Sequence, residues 1–193
     1  MLGEIFYASV HRFGVPTTRK VGSAFIDQAV HDVDVLVYLT GSTPKQVMAR
    51  EKKILEKDSA DLCTAIFDYG EFMATIESNR VSKVKNRDLI ILGTKGIAKL
   101  DYVTQDLRII TSEDIPSKFS SFDEIVTIMG KGAEYKPYFT KDEPLKVELS
   151  HFLDCVQNGE EPIVTTNDGL LALAAVEAAA QSAQSGKMEK ISF

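Results

Sequence analysis

Two hydrophobic periods alternate along this chain and divide it into strands and helices. Residues 3–12 alternate apolar with polar side chains, as a half-buried strand does. Over residues 23–39 the apolar positions recur at steps of three and four, which predicts a helix, and Gly41 supplies its C-terminal stop. Six short runs of period two follow and predict strands over residues 46–54, 60–67, 72–80, 87–92, 97–102 and 107–111.

The loops between these six runs are short. Tyr69-Gly70-Glu71 and the turn at residues 93–96 have hairpin length, so we expect consecutive antiparallel strands of one sheet, with no parallel crossovers between them. Residues 112–141 mix proline, glycine, serine and charges around one apolar run, residues 124–129, which we interpret as a strand within irregular loops.

Two further helices are predicted in the C-terminal part. Asp142-Glu143-Pro144 has the acids and the proline of a helix start, and Gly159 ends that helix. Residues 165–168 offer caps for another helix over residues 170–184, whose alanines allow close packing, and residues 188–193 predict a last strand. We therefore expect residues 1–193 to form a single α+β domain of two layers, an open and mostly antiparallel sheet with helices on one face.

Composition narrows the classes of partner. The 193 residues carry 22 Lys and Arg against 28 Asp and Glu, a net charge of −6 that argues against nucleic acid or an anionic membrane as a partner. No apolar run approaches the roughly 20 residues of a membrane span, and residues 1–14 do not resemble a signal peptide, so we expect a cytoplasmic protein. Cys63 and Cys155 lie far apart without metal-ligand spacing, which predicts two buried thiols.

The sharpest chemical feature is Asp27 and His31, four residues apart in the first predicted helix and so on one face of it. A carboxylate that holds one imidazole nitrogen leaves the other free to take a proton from a substrate hydroxyl. The alternative is an ordinary ion pair on a solvated helix. No further His or Cys falls at ligand spacing, so no metal site is predicted.

Two basic segments lie near this helix in sequence. The loop over residues 12–20 contains Arg12 and Arg19, and the passage over residues 79–87 contains Asn79 and Arg87; guanidinium forks and helix amides suit anionic oxygens. Solvated surface charge is the alternative for both segments. The chain has no G-x-G-x-x-G, P-loop or G-x-S-x-G motif, so a reactive cofactor would have to come from another domain.

An ordered set of motifs resembles one family. Residues 22–41 read Gly-x4-Asp-x3-His-Asp-x-Asp-x4-Leu-x-Gly, similar to the helix motif of the Gfo/Idh/MocA family of NAD(P)-dependent oxidoreductases. Similar family segments follow in order: Ala-Thr-Ile-Glu at residues 74–77, Leu-Gly-Thr-Lys-Gly at 92–96, the helix from Pro144 to Gly159, and Asp-Gly-Leu-x-Ala-Leu at 168–173. The resemblance spans nearly the whole chain and covers only the family's C-terminal domain.

The resemblance implies a sheet that shapes a substrate pocket on its helix side and associates with other subunits through its open face, as a homodimer or homotetramer. It implies that Asp27 and His31 stand at the active site, beside a lysine and an NAD or NADP molecule supplied by an N-terminal Rossmann domain in the same or an adjacent polypeptide. The isolated chain would then be inactive.

Within the family, both basic segments resemble those of members that act on nucleotide-linked amino sugars, such as UDP-N-acetylglucosamine 3-dehydrogenases. The expected function is therefore substrate binding, oligomerisation and proton transfer in a sugar or nucleotide-sugar dehydrogenase, with Arg12, Arg19, Asn79 and Arg87 as substrate contacts. The alternative is a stand-alone, non-catalytic module for ligand binding or oligomerisation.

Overall fold

The computed structural model describes residues 1–16, 22–55, 57–112, 118, 120–129 and 132–193. The helices described are a π-helical turn (Phe25–Ala29) that continues as α1 (Val30–Thr40), then α2 (Phe122–Met129), α3 (Pro144–Asn158) and α4 (Thr166–Ser185). The strands described are β1 (Ile5–Phe13), β2 (Gln46–Lys52), β3 (Leu62–Asp68), β4 (Met73–Asn79), β5 (Asn86–Gly93), β6 (Gly96–Asp101), β7 (Asp106–Ser112), β8 (Gly132–Tyr135) and β9 (Glu189–Lys190). The first predicted strand and the six that follow the first helix are confirmed.

These strands form one open sheet in the order β8-β7-β6-β5-β1-β4-β3-β2-β9. Neighbouring strands run antiparallel except β1 and β4, which are parallel, so the predicted α+β class is confirmed. One detail differs from the expected order: β4 and β5 are not neighbours, because β1 is inserted between them. Ala8 of β1 is aligned with Ala74 on one side and with Ile91 on the other.

The core lies between one face of this sheet and the helices. Alternate residues of the central strands, such as Val10, Ile76 and Leu89, are buried on that face. The π-helical turn packs on β4, α4 packs on β2, and α1 packs on α4. The period of two seen in the sequence therefore corresponds to one sheet face against the helices and one face left open.

Local capping signals place the helix ends where the sequence predicts them. Gly41 has a φ of 67° at the C-terminal end of α1, a conformation that favours glycine. Glu143 caps α3 through the backbone N–H groups of residues 145 and 146. Thr165 and Asp168 form a reciprocal capping box at the start of α4.

The expected strand over residues 124–129 is wrong, because this segment is the helix α2. The Ser121 hydroxyl accepts from the backbone N–H of Glu124 at 3.2 Å, and the Glu124 carboxylate accepts from the backbone N–H of Ser120 at 2.7 Å. These two contacts satisfy N–H groups at the start of the helix, which favours a helical over an extended conformation for the following apolar run. The short strand β8 was not predicted, and only two residues of the predicted last strand form β9.

Among the residues described, no helix combines the length and apolar character that a membrane crossing requires. Cys63 and Cys155 are both buried and unbridged, as predicted.

Candidate functional site

Asp27 lies in the π-helical turn at the start of the first helix, close to the end of β4. Its Oδ2 accepts from Nη1 of Arg80 at 3.5 Å, and its side chain is 37 % exposed. The Arg80 side chain is only 4 % exposed, so its charge needs a counterion nearby. The carboxylate expected to hold the histidine thus faces a buried arginine.

His31 follows Asp27 by four residues, which is close to one turn of either helix type, so both project from the same side of the helix. His31 is exposed. Among the described residues, no hydrogen bond or ion pair joins it to Asp27, in contrast to the expected contact. Burial raises the pKa of Asp34, the charge of Asp168 raises it further, and His31 partly offsets both effects. The carboxylate of Asp34, in the next turn of the helix, therefore interacts electrostatically with the His31 imidazole.

Arg80 fixes the loop before the helix to the end of the sheet. Its Nη2 donates to the carbonyl oxygens of Gly22 at 2.9 Å and Ala60 at 3.0 Å, and to the Ser59 hydroxyl at 3.3 Å. Its Nε is buried and has no hydrogen-bond partner among the described residues. Arg80 thereby positions Asp27 and the segment that carries it.

Arg12 is joined to Asp32 in a buried ion pair between β1 and α1. Its Nε lies 3.0 and 2.9 Å from the two carboxylate oxygens, and its Nη2 also donates to Oδ1. Burial acts to lower the pKa of Arg12, but the hydrogen bonds and charge of Asp32 outweigh it and leave that pKa raised. The ring of Tyr102 covers the guanidinium at 5.9 Å. Arg12 was expected to contact the substrate, but its guanidinium is paired with an internal carboxylate.

Asn79 is buried at the end of β4 and shapes the turn that follows it. Its side-chain oxygen accepts from the backbone N–H groups of Val81 at 3.3 Å and Ser82 at 3.1 Å. Its backbone carbonyl accepts from the N–H of Gly14 at 2.7 Å. Asn79 thus joins the two basic segments to each other.

A cleft of about 280 Å³ opens beside these groups. The side chains and backbone that line it belong to Gly14, Val15, Asp27, Gln28, Arg80, Lys85 and Arg87. Arg87 and Lys85 form no ion pair among the described residues, so they are the cations available to a bound molecule. Burial lowers the pKa of Arg87, and the nearby charge of Arg12 lowers it further.

The structure brings some of the expected site residues together and separates others. Asp27 and Arg87 line the cleft, whereas Arg12 and Asn79 support the elements around it. Arg19 lies outside the described residues. Arg80 was not expected as a site residue. It ends the predicted strand over residues 72–80 and lies in the basic segment over residues 79–87. A charged residue at a buried position of a strand indicates a partner inside the protein.

The other two histidines lie outside the cleft. His11 projects from the open face of the sheet, where its Nδ1 lies 2.7 Å from Oδ1 of Asp88. His151 of α3 accepts from the backbone N–H of Ile163 at 3.0 Å through Nε2. Both side chains therefore have contacts within the chain.

Comparison with known proteins agrees with the sequence motifs. The family model for the Gfo/Idh/MocA oxidoreductase family, C-terminal alpha/beta domain, matches residues 1–193. The chain is 25 % identical over 183 residues to myo-inositol 2-dehydrogenase of Thermotoga maritima, covering 90 % of this chain and 50 % of that protein. It is 29 % identical over 177 residues to the NAD(+)-dependent scyllo-inositol 2-dehydrogenase of Bacillus subtilis, covering 87 % and 47 %. The chain therefore spans about half the length of these relatives.

Among solved structures, the fold is similar to that of UDP-N-acetylglucosamine 3-dehydrogenase GnnA from Acidithiobacillus ferrooxidans. The TM-score is 0.80 at 19 % identity, over 95 % of this chain and 56 % of that one.

Proposed function

The chain belongs to the Gfo/Idh/MocA oxidoreductase family as its C-terminal alpha/beta domain, and from this premise we propose that it is the substrate side of an NAD(P)-dependent sugar or nucleotide-sugar dehydrogenase. The observation that carries the proposal is the cleft. An acid held by a buried arginine lies in it beside Lys85 and Arg87, two cations that form no ion pair with any residue the structure describes. An exposed imidazole stands one helical turn away.

His31 is proposed to take the proton of the hydroxyl group that is oxidised. When the imidazole accepts this proton it becomes a cation, which neighbouring carboxylates stabilise. Asp34 already interacts with His31 through its charge, and Asp27 stands on the same side of the helix. In this arrangement Arg80 positions Asp27 rather than touching the reacting hydroxyl.

The cofactor's chemistry is the acceptance of a hydride by a nicotinamide. Binding of a dinucleotide's phosphates needs a glycine-rich turn at a helix N-terminus, and the glycines at residues 93–96 and 130–132 do not have that spacing. The residues of this chain fit the substrate side of the reaction, so the cofactor is proposed to be held mainly by another domain.

The charge of the cleft favours an anionic substrate. Asp32 neutralises Arg12 and Asp27 faces Arg80, which leaves Arg87 and Lys85 for a substrate phosphate. A neutral polyol such as an inositol carries no negative charge with which these two cations could pair. We therefore propose a nucleotide sugar over a free sugar as the substrate class.

The open face of the sheet is proposed to join subunits into a dimer or tetramer. Polar groups on this face already have partners within the chain: the Tyr7 hydroxyl lies 2.7 Å from the Thr75 hydroxyl, and His11 contacts Asp88. Exposed apolar side chains such as Met73 lie among them. Such a face can be covered without leaving these polar groups unsatisfied.

Binding to the chain alone tests the substrate class. By isothermal titration we expect UDP-N-acetylglucosamine and UDP to bind, and Arg87→Ala to weaken both at least tenfold. Arg108→Ala is the matched control, because this exposed arginine lies on β7, away from the cleft, and should leave binding unchanged. Binding of myo-inositol with equal affinity in wild type and Arg87→Ala, and none of UDP, would refute an anionic substrate.

Turnover tests the proton-transfer role. The nucleotide-binding half of the Thermotoga maritima relative would be joined ahead of Met1, and the oxidation of UDP-N-acetylglucosamine followed by NADH absorbance. His31→Ala should abolish turnover and added imidazole should partly restore it, while Tyr38→Ala, exposed on the same helix, should not change it. A fusion protein that binds NADH and UDP-N-acetylglucosamine without any turnover would favour a non-catalytic module.

A further inference from the structure

One line of side chains across the open sheet face is almost entirely acidic. Four residues on neighbouring strands are in register: Glu77 of β4, His11 of β1, Asp88 of β5 and Asp101 of β6. We call this set the His11 row. The residues that alternate with them in β1 and β4 are buried, so the row lies on the face that the helices leave open. Because β1 is the fifth of nine strands, the His11 row crosses the middle of that face.

Asp88 holds His11 at only one of its two ring nitrogens. The Nδ1 of His11 lies 2.7 Å from Oδ1 of Asp88, and the other oxygen of that carboxylate accepts from the side-chain amide of Asn86 at 2.7 Å. The Nε2 of His11 has no hydrogen-bond partner among the described residues. When Nδ1–H donates to Asp88, the neutral ring carries a free lone pair on Nε2. The next proton therefore binds at Nε2, which then becomes a donor on the open face.

The cations near the His11 row do not neutralise it. Glu77 forms no ion pair with any residue that the structure describes. Arg50 lies two strands beyond Glu77, and its guanidinium is turned towards the end of α4. Lys99 and Arg108 are in register with each other but lie further along their strands than the row. On the covered side of β1, Arg12 is already paired inside the core. The imidazole is therefore the group of the row that can supply a positive charge.

We propose that a second copy of the chain covers the open face and that this assembly takes up a proton at each His11. The proposal rests on the proposed function, because it assumes that the open face joins subunits. In a two-fold assembly the same patch of both copies meets, so a row of three carboxylates and a neutral imidazole faces a surface of its own sign. A proton on Nε2 gives each copy a donor for an unpaired carboxylate of the other, and the two surfaces become complementary.

Protonation of His11 sets the sign of the pH dependence. An imidazole changes its charge between about pH 5 and 8, whereas carboxylates ordinarily titrate below about pH 5. Because assembly favours the protonated ring, association is strongest at the acidic end of this range and weakens as the pH rises. With one imidazole from each copy, we expect the dissociation constant of the dimer to be at least about tenfold lower at pH 6 than at pH 8.

Sedimentation equilibrium of the chain at pH 6 and pH 8, at one ionic strength, measures this difference. His11→Gln keeps a neutral donor for Asp88 but cannot take up a proton, so it should associate as the wild type does at pH 8 and lose the strengthening at pH 6. Glu77→Gln removes one repelling carboxylate, so it should strengthen association at pH 8 and reduce the pH effect. His151→Gln is the matched control, because this histidine lies on α3 and contacts Ile163 rather than the sheet, and it should keep the full effect.

A variant of the same face separates open-face assembly from its link to protons. Ile66→Gln/Met73→Gln replaces exposed apolar side chains of β3 and β4 and should weaken association at both pH values. No association of the wild type, or association that this variant leaves unchanged, would overturn both the assembly and the role of His11. Association that this variant weakens but that is equal at pH 6 and pH 8, or a pH effect that His11→Gln retains, would overturn the proton uptake alone. Circular dichroism at both pH values checks that every variant is folded.

Discussion

Removing one partner of the buried Arg12–Asp32 ion pair should destabilise the domain severely. The pair links β1 to α1, and its side chains are only 10 % and 0 % exposed. Asp32→Asn leaves the guanidinium without its counterion, and Arg12→Met leaves the carboxylate uncompensated.

The magnitude follows from the burial of the pair. Loss of one member of a buried ion pair costs about 3–5 kcal/mol, because the remaining charge is desolvated without compensation. Domains of this kind are stable by about 5–15 kcal/mol in total, so each single variant should unfold at a markedly lower urea concentration. The double variant Arg12→Met/Asp32→Leu removes both charges, so it should lose at least about 2 kcal/mol less than the sum of the two single changes.

Urea unfolding followed by circular dichroism measures these differences. The control is Lys141→Ala, which breaks the exposed 2.7 Å pair with Asp106 and should leave the midpoint unchanged within error. Single variants that cost less than 1 kcal/mol, or a double variant whose cost is the plain sum, would show that the pair is not the buried and coupled unit described above.

Two further predictions concern glycine positions and a buried thiol. Gly41→Ala should lower the free energy of unfolding by about 1 kcal/mol, because φ is +67° at this position. Gly169→Ala should raise it by about 0.5–1 kcal/mol, because Gly169 lies inside α4 with open space around it. Equal effects of the two variants in urea unfolding would contradict this account. Burial raises the pKa of the Cys63 thiol from 9.0 to about 12. The protonated thiol therefore makes its full contribution to the free energy of unfolding below pH 9, and this contribution is lost as the pH rises towards 12. In a Cys155→Ser variant, a disulfide reagent at pH 8 should label Cys63 only after unfolding, and labelling of the folded protein would refute its burial.

Local signals in the sequence were sufficient to predict most elements and the class of fold. The period of two in β2 to β7 reflects one buried and one open sheet face, and it can be read without knowing which strands are neighbours. The position of β1 between β4 and β5 could not be read in this way, because the partners of a strand depend on pairing between distant segments. The run in α2 has apolar residues compatible with both structures, and the capping contacts of Ser120 and Ser121 favour the helix.

The candidate site was predictable in its residue types but not in its pairings. The motif placed Asp27 and His31 one turn apart, and the structure keeps that spacing. Asp27 pairs with Arg80, and Arg12 pairs with Asp32. These partners depend on which charges the folded chain buries together. Sequence spacing along one helix carries no information about a cation that arrives from a strand more than 50 residues later.

The central position of β1 also sets an order for folding. β1 precedes both of its neighbours in the chain and pairs with them over long separations, since Tyr7 meets Thr75 across 68 residues and His11 meets Asp88 across 77. Contacts so distant in sequence slow folding, and until they form β1 exposes two unpaired edges in the nascent chain. During synthesis β1 therefore lacks its two partner strands in this sheet until β4 and β5 have also been made.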